Sequence, residues 1–300
     1  MGRTKLYPMV QFRKDTWEID EFDVASIYVL IGSEKALVID TGEGIGDLRG
    51  AIEMITDKPL ITVISHNHPD HIGNAHQFEE VWINPKDREG LLHPRKMSAE
   101  NMVRQIANRQ KGCFEWTYKM FNLYPYDINT DLEITTEERQ PKVIHDLTDG
   151  MQFDLGDRIV TAWECPGHTA GEMVFIDSKE RICIAGDAIN YNLGVSSTPV
   201  ERTLRYLKRL QSMGDQYDAI YNHHHDFRAF GTPLDDDCLP NAIAILEDVM
   251  AGHIDPVQVP NWFGQDLILT KDYEAKDMWG GVTLCRGRNF VGIDPEKIKE

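Results

Sequence analysis

The sequence predicts an α/β protein in which two β-sheets stack face to face and helices cover their outer faces. Three observations point there. Two separate stretches, "SIYVLIGSEKALVIDTG" at 26–42 and "RIVTAWECPGHTAGEMVFIDSKERICIAGDAI" at 158–189, repeat one plan of apolar strand runs around tight turns. Each half also places histidines or an acidic residue at strand ends, which fits two stacked sheets better than a single doubly wound sheet. Finally, 300 residues with 41% hydrophobic and 27% charged side chains, and no low-complexity tract, suffice for a large core without staples.

The elements follow in order. The stretch 26–42 is two apolar runs around Gly32, Ser33, Glu34 and Lys35, a β-hairpin pattern. A helix is predicted over "GDLRGAIEMI" (46–55), then a strand through the β-branched Ile61, Val63 and Ile64, a short helix near 75–78 and a strand at "VWIN" (81–84). Between the halves, about 87–141 reads as a helical insertion. It opens with "SAENMVRQIANRQ", where Ser98 followed three residues later by Asn101 is a weak start signal that Glu100 in the first turn supports, and continues into "CFEWTYKMFNLYPYDI", with six aromatics over 114–126. These aromatics either pack the insertion onto the body or form a lid over a substrate. The second half is followed by the strand "DAIYN" (218–222). From about 232 to 300 the chain forms a C-terminal extension, with a helix at "CLPNAIAILEDVM" and two short runs, "GVTLC" and "NFVGI", expected to pair with each other. No linker separates an independent unit, so 1–300 reads as one domain.

Composition narrows the function classes. A net charge of −18 argues against a nonspecific grip on nucleic acid or acidic lipid, so a small-molecule substrate is expected, and a homo-oligomer is allowed. No run approaches the roughly 18 apolar residues of a membrane span, and the first 20 residues contain no apolar targeting core. The five cysteines are scattered without a CxxC, which suits reduced, buried thiols. A cytoplasmic location is the expectation.

The chemistry concentrates in "ITVISHNHPDHIGN" (61–74). His66, His68, Asp70 and His71 lie within six positions at the end of an apolar strand, where Pro69 restricts His68 and ends regular extended structure. A lone histidine is commonly a satisfied core residue, but four ligand-type side chains so close together are hard to explain as packing. The spacing H-x-H-x-D-H points His66 and His68 to one side and Asp70 and His71 to a neighbouring point, which suits two metals better than one. A structural zinc site would typically use cysteine, and none is near.

These residues resemble the metallo-β-lactamase fold superfamily of hydrolases, and three further motifs occur in that family's order. They are "VIDTG" with Asp40, "CPGHTAGEMVF" with His168, and "IAGDAI" with Asp187. The resemblance covers about 24–227 apart from the insertion, and implies a four-layered αβ/βα sandwich of two mixed β-sheets with helices on the outer faces. It also implies that His66, His68 and His168 hold one metal, that Asp70, His71 and a last histidine hold a second, and that Asp187 bridges both. The family usually offers Pro-Gly-His at that last position. Here "DAIYN" leads into His223, His224 and His225; aligning Tyr221 and Asn222 with the family pattern selects His224, with a neighbour on either side as the alternative. His68 stands where the redox di-iron branch tends to carry a carboxylate, which disfavours that branch. His76, His93, His145 and His253 are isolated, and surface or core roles are expected for them.

The implied cofactors are two divalent metal ions, zinc first, with iron or manganese accepted by the same ligands. The implied mechanism is attack by a metal-bridging hydroxide, formed because bound cations lower the pKa of water from about 15.7 to about 7. No G-x-S-x-G is present, so a serine nucleophile is not expected. Asp70 is the expected catalytic residue, carrying a proton to the leaving group. A carbonyl substrate is expected: a lactone, thioester, ester or β-lactam. The alternatives are a phosphodiesterase on the same site and a noncatalytic metal-binding module.

Overall fold

A computed structural model of the chain describes residues 7–21, 25–44, 46–92, 141–224, 228–253, 257–260, 266–269, 273–274, 283–284 and 289–298. The aromatic stretch 114–126 and most of the expected insertion lie outside these residues.

The first sheet holds seven strands in sequence order: β1 (Met9–Arg13), β2 (Thr16–Asp20), β3 (Ser26–Ile31), β4 (Ala36–Ile39), β5 (Leu60–Val63), β6 (Glu80–Ile83) and β7 (Val143–Asp146). Strands β1 to β4 run antiparallel. The expected hairpin at 26–42 is β3–β4, closed by Gly32 N–H donating to the Lys35 carbonyl at 2.9 Å. From β4 to β7 the pairing is parallel, which needs crossovers. Helix α1 (Leu48–Ile52) supplies one, and α2 (Pro69–Ile72) with a 3-10 turn at Ala75–Gln77 supplies the next. Helix α3 (Arg88–Leu92) follows β6.

The second sheet comprises β8 (Gln152–Asp154), β9 (Ile159–Glu164), β10 (Met173–Asp177) and β11 (Ile182–Ile184). Strand β12 (Asn192–Val195) leaves it, helix α4 (Val200–Ser212) crosses over, and β13 (Ala219–Tyr221) returns parallel to β11 in the order β13-β11-β10-β9-β8. Beyond it lie helix α5 (Cys238–Met250), β14 (Val257–Pro260), β15 (Asp266–Leu269), β16 (Tyr273–Glu274), β17 (Thr283–Leu284) and β18 (Phe290–Ile293). Among the described residues the expected pairing of "GVTLC" with "NFVGI" does not form. Instead β17 pairs with β16, while β18 lies between β12 and β15 in a third sheet. Local hydrophobicity marks both runs as strands but carries no partner choice, which β12 decides from about 95 residues upstream.

Side-chain alternation assembles the layers. Tyr28 and Leu30 of β3, Leu37 and Ile39 of β4 and Val63 of β5 join Phe153, Ala162, Phe175, Ile182 and Ile184 in one buried cluster between the sheets. The intervening residues Ile27, Val29 and Val38 face the other way, onto Leu48, Ala51 and Ile52 of α1 and onto Phe78. In the second sheet Val174, Ile176 and Cys183 cover themselves with Leu207 and Leu210 of α4 and with Leu239, Ile243 and Leu246 of α5. Period-2 strands that bury both faces therefore produce the αβ/βα sandwich. Among the described residues no helix is long and apolar enough to cross a membrane.

A buried arginine, ion-paired within the second sheet, crosses the sheet interface. The Arg158 guanidinium donates to Asp177 Oδ2 at 2.6 Å in β10, to Thr16 Oγ1 at 2.7 Å in β2 and to the Asp15 carbonyl at 2.9 Å. Arg158→Met removes the cation from a carboxylate that stays buried, and is expected to lower unfolding free energy by about 3–5 kcal/mol. Denaturant titration checks this, and Arg158→Met with Asp177→Leu together should recover most of the loss.

Candidate metal centre

The chain gathers its ligand-type residues at strand ends. Strand β5 runs out at Val63 and leads through Ser65 to His66. His68 adopts an extended conformation (φ −70°, ψ 151°) because the next residue is Pro69, whose ring disfavours helical backbone before it. Pro69 then opens α2, whose single turn carries Asp70 and His71. His168 follows β9, Asp187 follows β11 and His224 follows β13. All seven arrive at one rim of the stacked sheets, where α/β folds leave room for ligands.

His66, His68 and His168 form one group able to hold a metal ion. His68 Nδ1 lies 3.2 Å from His66 Nε2 and 2.9 Å from His168 Nε2. Ligand atoms on a tetrahedral zinc with bonds of 2.0–2.1 Å sit about 3.3 Å apart, so the spacing suits a shared ion. The far nitrogens show which atoms face inward. His168 Nδ1 donates to the Gly194 carbonyl at 3.2 Å, and His66 Nδ1 sits 3.0 Å from Ser65 Oγ and 3.4 Å from Glu172 Oε1. Both Nε2 lone pairs are thereby turned toward His68.

Asp70, His71 and His224 form a second group. His224 Nε2 lies 3.3 Å from Asp70 Oδ2, and His71 Nε2 lies 3.5 Å from the same oxygen. Asp187 stands between the groups, with Oδ2 3.2 Å from His224 Nε2, 3.4 Å from His168 Nε2, 3.7 Å from His71 Nε2 and 3.9 Å from His66 Nε2. Among the described residues His71 Nε2 and Asp187 Oδ1 are buried without a hydrogen-bond partner. An orphaned buried nitrogen such as His71 Nε2, aimed at the Asp70 and Asp187 carboxylates, is costly unless a cation completes it, so the donor set fits metal ions.

Asp40 also groups with His66 and His71, but its carboxylate is already engaged. It accepts from Ser65 N–H and Ser65 Oγ, both at 2.6 Å, and holds His71 Nδ1 at 2.7 Å. This is the pattern of a carboxylate that orients a ligating imidazole. Asp40 adopts φ 65°, unusual for a residue with a Cβ, and a sign of backbone strain at a functional turn. Glu172 acts similarly on the other side, accepting from Asp187 N–H at 2.9 Å while facing His66. Neither was among the expected site residues. The signals were an aspartate closing an apolar strand in "VIDTG" and a glutamate interrupting an apolar run in "GEMVF".

Of the triplet after β13, His224 points into the cluster. His223 instead lies with its Nε2 3.1 Å from Asp40 Oδ2 and its ring edge-on to Tyr28, with centroids 5.0 Å apart. His225 lies outside the described residues. His145 stacks on Trp82 and approaches Glu80 at 2.8 Å, His76 Nδ1 bonds the Gly73 carbonyl, and His253 is exposed.

Charge is divided unevenly. Burial and the neighbouring imidazoles push His68 down to about 4, and burial also holds His66 and His168 below the usual histidine range. Burial opposes charge on His71 and His224 too, but Asp70 and Asp187 hold both well above it. Those two carboxyls, in spite of burial, are held well below the usual range by His71 and His224. Beside them, burial and the Asp70 and Glu21 carboxylates push Glu43 up to about 10.

A family model for the metallo-beta-lactamase superfamily matches residues 20–208. The chain belongs to the metallo-beta-lactamase superfamily. The human protein acyl-coenzyme A thioesterase MBLAC2 is 27% identical over 195 residues, 61% of this chain and 64% of that protein, so the match spans less than two thirds of its length. The Gallus gallus protein of the same name is 24% identical over 281 residues, 90% of this chain and 85% of its own. A metallo-beta-lactamase family protein from Thermus thermophilus superposes with a TM-score of 0.52 at 20% identity, over 82% of this chain and 85% of that one, which shows a shared fold. The superfamily's sandwich is the architecture that the hydrophobic alternation builds here.

Metal binding requires neutral imidazole. In metal-free protein burial disfavours a proton on His66, His68 and His168, whereas Asp70 and Asp187 favour one on His71 and His224. Affinity at the first group is therefore expected to be nearly flat around neutral pH. Affinity at the second should climb as pH rises toward the raised pKa values of His71 and His224. Calorimetry in buffers of different ionisation enthalpy should show little proton release with one ion and roughly one proton each from His71 and His224 with the other. Equal release in both steps would contradict the assignment.

Proposed function

We propose that this protein is a metal-dependent hydrolase of small acyl thioesters, holding two divalent ions, zinc foremost. The observation that carries the two-ion reading is the Asp187 carboxylate, one oxygen of which lies within 3.9 Å of imidazole nitrogens from both groups. His66, His68 and His168 would hold one ion, Asp70, His71 and His224 the other, and Asp187 would face both. All-nitrogen-and-oxygen ligation suits zinc, and iron or manganese remain accessible to it. The choice of thioester over lactone, ester or β-lactam rests on the relatives named acyl-coenzyme A thioesterase.

Bound divalent ions supply Lewis acidity and a water pKa lowered from about 15.7 to about 7. The chain's own residues do the rest. Asp40 and Glu172 fix the tautomers of His71 and His66. Asp70, ionised and partly open to solvent, would face the second ion with Oδ2 and can take up a proton from the attacking water at its other carboxylate oxygen and return it to the departing group. A cysteine nucleophile is excluded for the three described thiols. Burial raises Cys165, Cys183 and Cys238, the last to about 12, and the thiolate is the reactive form. Such reduced, buried thiols fit a cytoplasmic setting.

A panel of acyl-coenzyme A thioesters, a homoserine lactone, a nitrophenyl ester, a chromogenic cephalosporin and bis-nitrophenyl phosphate tests the reading. The thioesters should show the highest kcat/KM, and a chelator should abolish turnover reversibly. A phosphodiester that outruns every carbonyl substrate would overturn it. Asp40→Ala and Glu172→Gln should each cost about 10–100-fold in metal affinity or activity, as loss of a partner that orients a ligand does. Metal content and initial rates measure both effects.

A further inference from the structure

We propose that the buried Glu18–Arg228 ion pair is a positioning device for the second metal group, setting His224 against Asp70 and His71. The inference rests on the two-ion reading above. Glu18 lies in β2 of the first sheet and is fully buried; Arg228 lies four residues beyond His224 and is also buried. The Arg228 Nη2 donates to Glu18 Oε1 at 2.6 Å, to the Asn222 carbonyl at 2.8 Å and to Tyr28 Oη at 2.9 Å. Its Nε donates to Asn222 Oδ1 at 2.7 Å and its Nη1 to the Thr232 carbonyl at 3.0 Å.

The guanidinium thus grips Asn222 by side chain and main chain, two residues before His224. Other contacts complete the hold. Tyr28 Oη donates to the Asn222 carbonyl at 2.6 Å, Ser26 N–H donates to the His223 carbonyl at 2.7 Å, and His223 N–H donates to the Gly186 carbonyl at 3.2 Å. Ser26 Oγ and Gly231 N–H in turn donate to Glu18 at 2.7 and 2.8 Å.

Two physical points make this more than a staple. Desolvating both charges cancels much of the attraction in a buried pair, so such pairs are better at enforcing one geometry than at adding stability. The geometry enforced here joins the loop of His224, from the second sheet, to the sheet that delivers Asp70 and His71. The first group draws on different supports. His168 is held through its carbonyl by Ser197 Oγ at 2.9 Å, and Thr169 Oγ1 donates to Asp87 at 2.6 Å. Loosening the ion pair should therefore reach one group and spare the other.

The test is zinc binding by the full chain, titrated against a chromophoric chelator, for wild type, Arg228→Met, Arg228→Lys and Glu18→Gln, with thermal unfolding of the metal-free proteins alongside. In Arg228→Met one zinc step should fall roughly 10–100-fold, the range for losing a ligand's orienting partner, while the other changes by less than about twofold. Arg228→Lys should restore little, because an ammonium lacks the planar fork that reaches Glu18 and both Asn222 oxygens together. Glu18→Gln keeps the shape and should show a smaller selective loss, which keeps the test usable if Arg228→Met does not fold. Unchanged zinc steps in the folded variants overturn the proposal. Equal weakening of both steps, in proportion to lost thermal stability, overturns it too by making the pair merely structural. A wild type that never binds a second zinc overturns the two-ion reading and the positioning role with it, whereas two zincs in wild type and unaltered variants overturn the positioning role alone.

Discussion

The sheet-to-sheet interface is the constraint on which the site depends. Of the seven ligand-type side chains, His66, His68, Asp70 and His71 come from the loop after a strand of the first sheet. His168, Asp187 and His224 come from three loops of the second. They meet only if Tyr28, Leu30, Leu37 and Ile39 seat against Phe153, Phe175, Ile182 and Ile184 in one register. Burying a large apolar side chain contributes about 1.5–3 kcal/mol, so this layer can offset the cost of crowding imidazoles and carboxylates at its rim. Polar ties then refine what the apolar layer sets roughly. Arg158, bonded to Asp177 within the second sheet and to Thr16 of the first, and Arg228, paired with Glu18, each span the two sheets.

The rim is arranged from outside inward. Asp40 takes three hydrogen bonds that fix Ser65 and His71, and Glu172 links the backbone of Asp187 to the ring of His66. Imidazole orientation is therefore set by groups that do not themselves face the cluster interior. The result is an electrostatic contrast across a few ångströms. Three imidazoles held below the usual histidine range stand on one side of Asp187, and two held above it stand with Asp70 on the other. Under the two-ion reading, such a contrast would give the two cations different pH dependence within one shared site.

Burial of Cys165, Cys183 and Cys238 removes these three thiols from the chemistry, and the described histidines outside the cluster are occupied elsewhere or exposed. Among the described residues, the candidate reactive groups thus gather at the rim. Substrate choice, by contrast, belongs to whatever shapes the approach to it, and loops at such rims commonly do so.

Much of this was legible in the sequence because its signals are local. Pro69 between His68 and Asp70 forces the extended-to-helical switch that splits one loop between two groups, and four ligand-type residues in six positions have few other uses. Alternation in 26–42 and 158–189 specified hairpins and, through burial of both faces, the stacked sheets. Tertiary structure alone decided the rest. Strand β18 chose β12 and β15 over its neighbour in sequence because strand pairing is settled by packing at long range, and hydrophobic pattern carries no address. His224 rather than His223 entered the cluster because Ser26, Gly186 and Arg228 hold the intervening backbone from both sheets. Asp40 and Glu172 became orienting groups only once the fold brought His71 and His66 against them. A side chain's type is written residue by residue, but the atoms it will face are chosen by residues tens to hundreds of positions away.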